Sequence, residues 1–378
     1  MSVQLVGKAP KDFLTLGRGN TPPDRIFHSN IWFSGANARY ESLLPNLSRV
    51  DNYLLRCADT RLLRGIQFRL LHATSPLYGR YLFGRAARTY RHGFITNVRH
   101  IRHAHFPVVV DMDDPFFTAE EVSLLRSPQV AAIVVTNEPA AEHYRELGVQ
   151  TALRVIGQGV TPTPLDSSLV QQVRRRRAPG ELTVGYVAAW HMTGEEAGPN
   201  AAYDTDHLID EIWPAVRTAC PQARLWLVGN IGAALRRKLH SRGDIELVGR
   251  VPQTHVASYL AEVDVAVYPR RIQHRRAAVK LSEYIGAGVP VVGYRSVPTE
   301  LVSCTGAGIV ADTREEFVRS LVRVLCDTDL RTRLAENAVA AAPDVDWRVL
   351  AQRYSDVLEE FLPPGHAVNG ATDAASLG

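Results

Sequence analysis

Between Leu182 and Asp312, short apolar runs rich in Val, Leu and Ile alternate with amphipathic stretches, and no other feature constrains the chain as much. "LTVGYVAAW", "ARLWLVG", "IELVGRV", "VDVAVYP", "VPVVGY" and "AGIVAD" read as strands buried on both faces. "DHLIDEIWPAVRTAC", "GAALRRKLHS", "THVASYLAEV" and the segment running into "VKLSEYIGAG" read as the helices between them. Alternation of that kind predicts a parallel, doubly wound α/β sheet, and such sheets take ligands outside the carboxyl ends of their strands.

The first half repeats the theme in weaker form. "RIFHSNIWF", "VDNYLLRC", "FPVVVDMDD" and "VAAIVVTN" are candidate strands, with a loop centred on Gly35 and the helix "ARYESLLPNL" between the first two. "TALRVIGQGV" closes that half, and "TPTPLDSSLVQQVRRRRAPGEL" has the Pro and charge content of a linker. The expected organisation is therefore a Rossmann-like domain over 1–165, a linker over 166–181 and a second Rossmann-like domain over 182–345. A disordered tail is expected over 363–378. A length of 378 residues, 46% hydrophobic and 22% charged, suits two soluble domains of this size. No apolar run is long enough to span a bilayer, and the N-terminal "MSVQLVGKAPKDFLTLGRGN" lacks the apolar block of a signal peptide, so a cytoplasmic location is expected. Cys57, Cys220, Cys304 and Cys326 show no C-x-x-C spacing and read as free thiols.

The net charge of +4 is unevenly spread. From Thr60 to Val110 there are nine arginines and no Asp or Glu, with Phe68, Tyr78, Tyr81, Phe83, Tyr90 and Phe94 interleaved. Such a segment suits an anionic membrane surface on the cytoplasmic face or an anionic substrate, and equally a solvated arginine-rich helix face. No nucleic-acid module accompanies it.

The densest chemistry lies in "RRIQHRRAAVKLSEYIGAGVPVVGY", Arg270 to Tyr294. Lys280 and Glu283 share a helical face. Arg275, Arg276 and Lys280 are placed at the helix start, where each exposed cation costs about 0.3–1 kcal/mol against the macrodipole. A bound diphosphate would reverse that sign, and Glu283 could accept two hydrogen bonds from a vicinal diol. Gly286 and Gly288 would let backbone approach closely, and Pro290 stops the helix. At the end of "VVVDMDD", Asp111 or Asp113 could serve as general base, with Asp114 and His100 near an acceptor; the alternative is that one of the three aspartates caps the helix that follows. "RHIRHAHF" clusters His100, His103 and His105 without a carboxylate or thiol, which favours solvated loop residues over a metal site. "GNIGAALRR" lacks the third glycine of a dinucleotide fingerprint.

"VKLSEYIGAGVPVVGY" resembles the K-x-x-E-Y-x-A-x-G-x-P-V-V pattern of the two-domain GT-B glycosyltransferases, in particular family 4, the glycosyl transferases group 1. "RVIGQGV" is similar to the hinge strand of that family, and "GPNAAYDTDHLIDEIWPAVRTACPQARLWLVG" to its donor-domain opening. "DVDWRVLAQRY" resembles its closing helix, which implies a helix over 346–362 crossing back to the first domain. The resemblance implies a GT-B architecture of two Rossmann-like domains facing a central cleft, with the acceptor on the N-terminal domain and a nucleoside diphosphate sugar on the C-terminal one. It implies a hexosyltransferase acting on a glycan, lipid-linked or small-molecule hydroxyl, with retention and with no metal or other cofactor. Glu283 would hold the ribose, and Lys280 with Arg275 and Arg276 the diphosphate. Backbone at Arg250 and Val251 would meet the base, while Gly35 and Glu300 would lie near the donor. The pattern departs from the family at Arg275, where a glutamate is usual, and in the missing Arg and Lys after the first donor-domain strand, where His191, Glu195 and Glu196 stand. Those departures keep open an inverting transferase of an acidic sugar, similar to glucuronosyltransferases, and a non-catalytic GT-B-like binding subunit. A single-domain GT-A enzyme with a metal-binding D-x-D and a two-lobed solute-binding protein are the remaining rivals.

Overall fold

A computed structural model describes residues 11–12, 16, 24–32, 38–56, 77, 79–197, 204–271 and 275–364. The chain divides into a first unit, Met1–Ile156 with Ala351–Gly378, and a second, Gly157–Leu350.

In the first unit, β1 (Lys11–Asp12), β2 (Ile26–Trp32), β3 (Val50–Arg56), β4 (Gly93–Ile95), β5 (Val108–Met112), β6 (Val130–Val135) and β7 (Ala152–Val155) form one sheet. Its order is β1-β3-β2-β4-β5-β6-β7, with every pair parallel. The order reverses beside β2, so the topological switch point lies between β2 and β4. One sheet face is an aromatic cluster in which the Phe27 ring meets Tyr53, Phe83, Tyr90 and Phe106 at centroid distances of 5.3–6.4 Å. Asp51 is buried at its edge. Burial alone would raise its pKa, but hydrogen bonds from Arg25, Lys11 and Tyr90 outweigh that and lower it.

The basic segment sorts by face. Residues 79–86 are helical, with Phe83 buried along with Tyr90 and Phe94, whereas Arg80, Arg88, Arg91, Arg99 and Arg102 are exposed. Part of the aromatic interleaving is thus core packing. Phe68 and Tyr78 lie outside the described residues.

The second unit holds β8 (Leu182–His191), β9 (Ala223–Ile231), β10 (Ile245–Gly249), β11 (Val265–Tyr268), β12 (Val291–Tyr294) and β13 (Gly308–Ala311). They form an all-parallel sheet ordered β10-β9-β8-β11-β12-β13, which reverses between β8 and β11. Trp213, Val216, Phe317 and Leu321 fill one face, and Trp226, Tyr259, Leu281, Tyr284 and Val302 fill the other. Where β8 and β9 run side by side, a Cβ on Gly229, whose φ is +142°, would lie 1.8 Å from the Ala188 carbonyl oxygen, so only glycine fits. The doubly wound α/β class read from the sequence is what the chain adopts.

Two boundaries differ from expectation. The division falls between Ile156 and Gly157 rather than after residue 165. The segment 166–181 is no open linker, because Ser167–Arg174 is a helix of the second unit. Asp166 caps it by accepting from Ser168 and Leu169 N–H, and Val173 is fully buried. Arg174 and Arg177 pair with Glu262, and Arg177 also with Asp264. Pro and Arg content masked the cap and the apolar Leu169–Val173 spacing. The helix Trp347–Phe361 begins in the second unit, and from Ala351 its residues belong to the first. Most of the 363–378 tail lies outside the described residues.

Candidate functional site

The helix Val279–Gly286 follows β11 and gives each residue of "KLSEY" a separate task. Leu281 is core. Ser282 Oγ donates to the Gln158 carbonyl at 2.8 Å, and the Tyr284 hydroxyl accepts from Val187 N–H at 2.9 Å, which ties the helix to β8. Its N-cap is Ala278, which has no side chain to satisfy the first N–H groups, so that terminus suits an anion.

From the first turn, Lys280 reaches over the crevice where the sheet order reverses. Its Nζ lies 4.9 Å from the Tyr186 ring centroid on β8 and 5.9 Å from that of Tyr268 on β11. The residue keeps some exposed surface while the ammonium itself is covered. Burial, reinforced by Arg270 and opposed by Glu283, lowers its pKa to about 7. Glu283 is 9% exposed, and burial raises its pKa even though Gln253 donates to its Oε1. This cluster is concentrated positive charge beside an acceptor-only carboxylate at a strand switch point. It can hold a diphosphate next to a vicinal diol.

Other residues fall differently from expectation. Arg275 and Arg276 precede the helix rather than sitting in its first turn, so the macrodipole penalty falls on Lys280 alone. Gly286 and Gly288 serve the fold. A Cβ on Gly286 would lie 2.6 Å from Val160 Cγ1, and Gly288 has a φ of +71° in the turn after the helix. Arg250 is exposed and Val251 packs against the core just after β10, which carries the chain to Gln253 two residues on. Glu300 is exposed in the first turn of the helix Glu300–Thr305, where a carboxylate stabilises the terminus. Gly35 lies outside the described residues. The sequence reading missed Tyr186, Tyr268, Arg270 and Gln253. Only strand-end position and proximity to the K-x-x-E-Y helix signal them.

In the first unit, Asp111 is 1% exposed and accepts from Arg39 Nε and Nη2 at 3.0 Å each and from the Tyr354 hydroxyl at 2.9 Å. It is a buried anchor for the last helix and not a base. The same commitment to Arg39 argues against a D-x-D metal pair. Asp113 keeps 19% of its side chain exposed and lies 3.7 Å from Arg39 Nε, and Asp114 is exposed. None of the three caps the next helix; Thr118 does, accepting from Glu121 N–H. His100 is 4% exposed, edge-on to Phe83, and burial lowers its pKa to about 4, so it belongs to the core and not to an acceptor site. Among the described residues no three His, Cys, Asp or Glu gather as metal ligands.

Residues 199–327 match the family described as glycosyl transferases group 1. No curated protein matches the chain by sequence. Among solved structures, Anabaena HepE in complex with UDP superposes with a TM-score of 0.67 at 16% identity, covering 89% of this chain and 100% of that one. Sucrose-phosphate synthase from Thermosynechococcus elongatus gives 0.62 at 15%, over 82% and 84%. WaaG, a glycosyltransferase involved in lipopolysaccharide biosynthesis, gives 0.59 at 15%, over 88% and 98%. At such identities these likenesses show the fold, which is GT-B. Over residues 199–327 the family match bears out the resemblance carried by the K-x-x-E-Y helix and the donor-domain opening.

Proposed function

We propose that the chain is a GT-B glycosyltransferase that binds a nucleoside diphosphate sugar on its second unit and transfers the sugar to a hydroxyl acceptor. One observation carries the reading: the covered ammonium of Lys280 stands over the β8–β11 switch point, three residues from a buried carboxylate. Desolvating a lysine there is unfavourable for the fold alone and favourable once a diphosphate neutralises it. The structural likeness to HepE, which was solved in complex with UDP-glucose, supports the donor class.

In this reading Lys280, with Arg275 and Arg276, stabilises the negative charge that develops on the leaving diphosphate. Glu283, held by Gln253, accepts from the ribose hydroxyls. Asp113 orients or deprotonates the acceptor hydroxyl, because Asp111 is committed to Arg39. A hexose as the transferred group, retention of configuration and independence of metal complete the proposal. The exposed arginines of the basic segment, beside exposed Leu77 and Tyr81, suit a cytoplasmic membrane surface that presents a lipid-linked acceptor. The test is donor turnover, read as nucleoside diphosphate release across UDP-, GDP-, ADP- and dTDP-sugars. Lys280→Ala should lower the rate at saturating donor by about two orders of magnitude. An unchanged rate in that variant removes the mechanism, and no release with any donor favours a binding subunit.

A further inference from the structure

A second polar cleft of about 370 Å³ opens at the carboxyl ends of β11, β12 and β13, lined by His207, Tyr294, Arg271, Arg295 and Arg314 with acidic residues between. At its base His207 Nε2 and the Tyr294 hydroxyl are 2.8 Å apart, and both side chains are more than nine-tenths buried. His207 Nδ1 lies 3.1 Å from the carboxylate of Glu211, one helical turn on, and that contact lowers the Glu211 pKa. Tyr294 also packs on Phe317, with ring centroids 4.7 Å apart. Nothing in the proposed roles of Lys280 and Glu283 uses these groups.

The charges in the cleft cancel: Glu211, Asp312 and Glu315 face the three arginines. Arg295 pairs with Asp312 and Arg314 with Glu315, and Arg271 is held by Asp204 through its backbone N–H and guanidinium at 2.9–3.1 Å. A phosphate subsite would show uncompensated cations. Paired donors and acceptors around an aromatic hydroxyl suit an uncharged polyol, in which every hydroxyl both donates and accepts.

The cleft adjoins the Lys280 crevice through neighbouring backbone. Arg270 acts on Lys280 while the next residue, Arg271, lines the cleft. Tyr186, the ring nearest the Lys280 ammonium, packs on the same sheet face as Tyr294 and feels the charge of Asp204, which holds Arg271. We propose that this cleft receives the sugar ring of the nucleotide sugar, with the Tyr294 hydroxyl, backed by His207, contacting one of its hydroxyls. The inference rests on the donor reading above and names the residues that select the transferred sugar.

The test compares dissociation constants by calorimetry for UDP, GDP, ADP and dTDP with those for their hexose and N-acetylhexosamine derivatives. The wild type should bind one nucleotide sugar more tightly than its diphosphate. Tyr294→Phe, which keeps the ring on Phe317, and His207→Asn should each weaken that nucleotide sugar about tenfold, the worth of one hydrogen bond, and leave the diphosphate unchanged. Equal weakening of both ligands, no effect on either, or a wild type that does not distinguish them overturns the sugar subsite. Lys280→Ala separates the two ideas. If it weakens both ligands while Tyr294→Phe weakens neither, the donor site stands and the subsite falls; if no nucleotide binds the wild type, both fall.

Discussion

At the scale of single residues, the decisive group is Lys280, and its pKa supplies a signed prediction. In the free protein burial holds it near 7, so above neutrality it is mostly uncharged. A bound diphosphate, fully ionised there, favours the ammonium and raises that pKa, so binding takes up a proton and affinity weakens as pH rises above 7. Titrations near pH 8 in two buffers of different ionisation enthalpy should report close to one proton taken up, and Lys280→Met should abolish the uptake. Zero uptake in the wild type contradicts the placement of the diphosphate. The aspartates make the opposite kind of point. "VVVDMDD" flagged three candidates, and burial separates them: Asp111 is a fully buried anchor, and Asp113, beside the same arginine, keeps part of its side chain exposed. Asp111→Ala, which strands the Arg39 guanidinium, should cost about 3–5 kcal/mol in urea unfolding. Asp113→Ala, which leaves Arg39 its two hydrogen bonds to Asp111, should destabilise less than Asp111→Ala and lower turnover about 10²-fold or more. The sequence could show the carboxylates but not which of them Arg39, from a distant helix, would claim.

At the scale of elements, the K-x-x-E-Y helix was legible because its apolar periodicity, glycine stop and proline are local signals, and it ends at Gly286. The reason for its glycines was not legible. Gly286 faces Val160, a contact that spacing within the motif does not reveal. Replacing a glycine of helical conformation with alanine ordinarily adds about 0.4–1 kcal/mol where space allows. Here the added Cβ meets Val160, so Gly286→Ala should instead cost about 1–3 kcal/mol. In a Val160→Ala background the same change should become neutral or stabilising. A double-mutant cycle in denaturant measures that reversal, and additive effects would show that the contact is not what keeps the glycine. The helix Ser167–Arg174 was missed for a related reason. Its identity depends on burying Val173 and pairing Arg174 and Arg177 with Glu262, all tertiary facts hidden under linker-like composition.

At the scale of the whole molecule, legibility follows strand length and contiguity. β8 and β9 run for ten and nine residues, and their alternation with helices is plain in the sequence. In the first unit β4 is three residues inside an arginine-rich stretch and β1 only two, so neither stands out. Contiguity also decides what folds alone. The second unit is one unbroken stretch, Gly157–Leu350, and contains Lys280, Glu283, Gln253, Tyr186, Tyr268 and the Tyr294 cleft. Expressed alone, it should fold cooperatively and bind the nucleoside diphosphate with the affinity of the full chain. The first unit is interrupted, and its closing segment supplies Ala351, Tyr354, Leu358 and Leu362, each no more than 2% exposed. A fragment ending at Ile156 exposes the apolar surface those side chains cover and leaves the buried Arg39–Asp111 pair without Tyr354. It should populate a loosely packed or aggregated state by near-ultraviolet circular dichroism and light scattering, and a peptide spanning 347–364 should restore its ordered signal. Native packing in the fragment without the peptide would mean that the last helix is an accessory to the first sheet, and would remove the structural role assigned to Asp111.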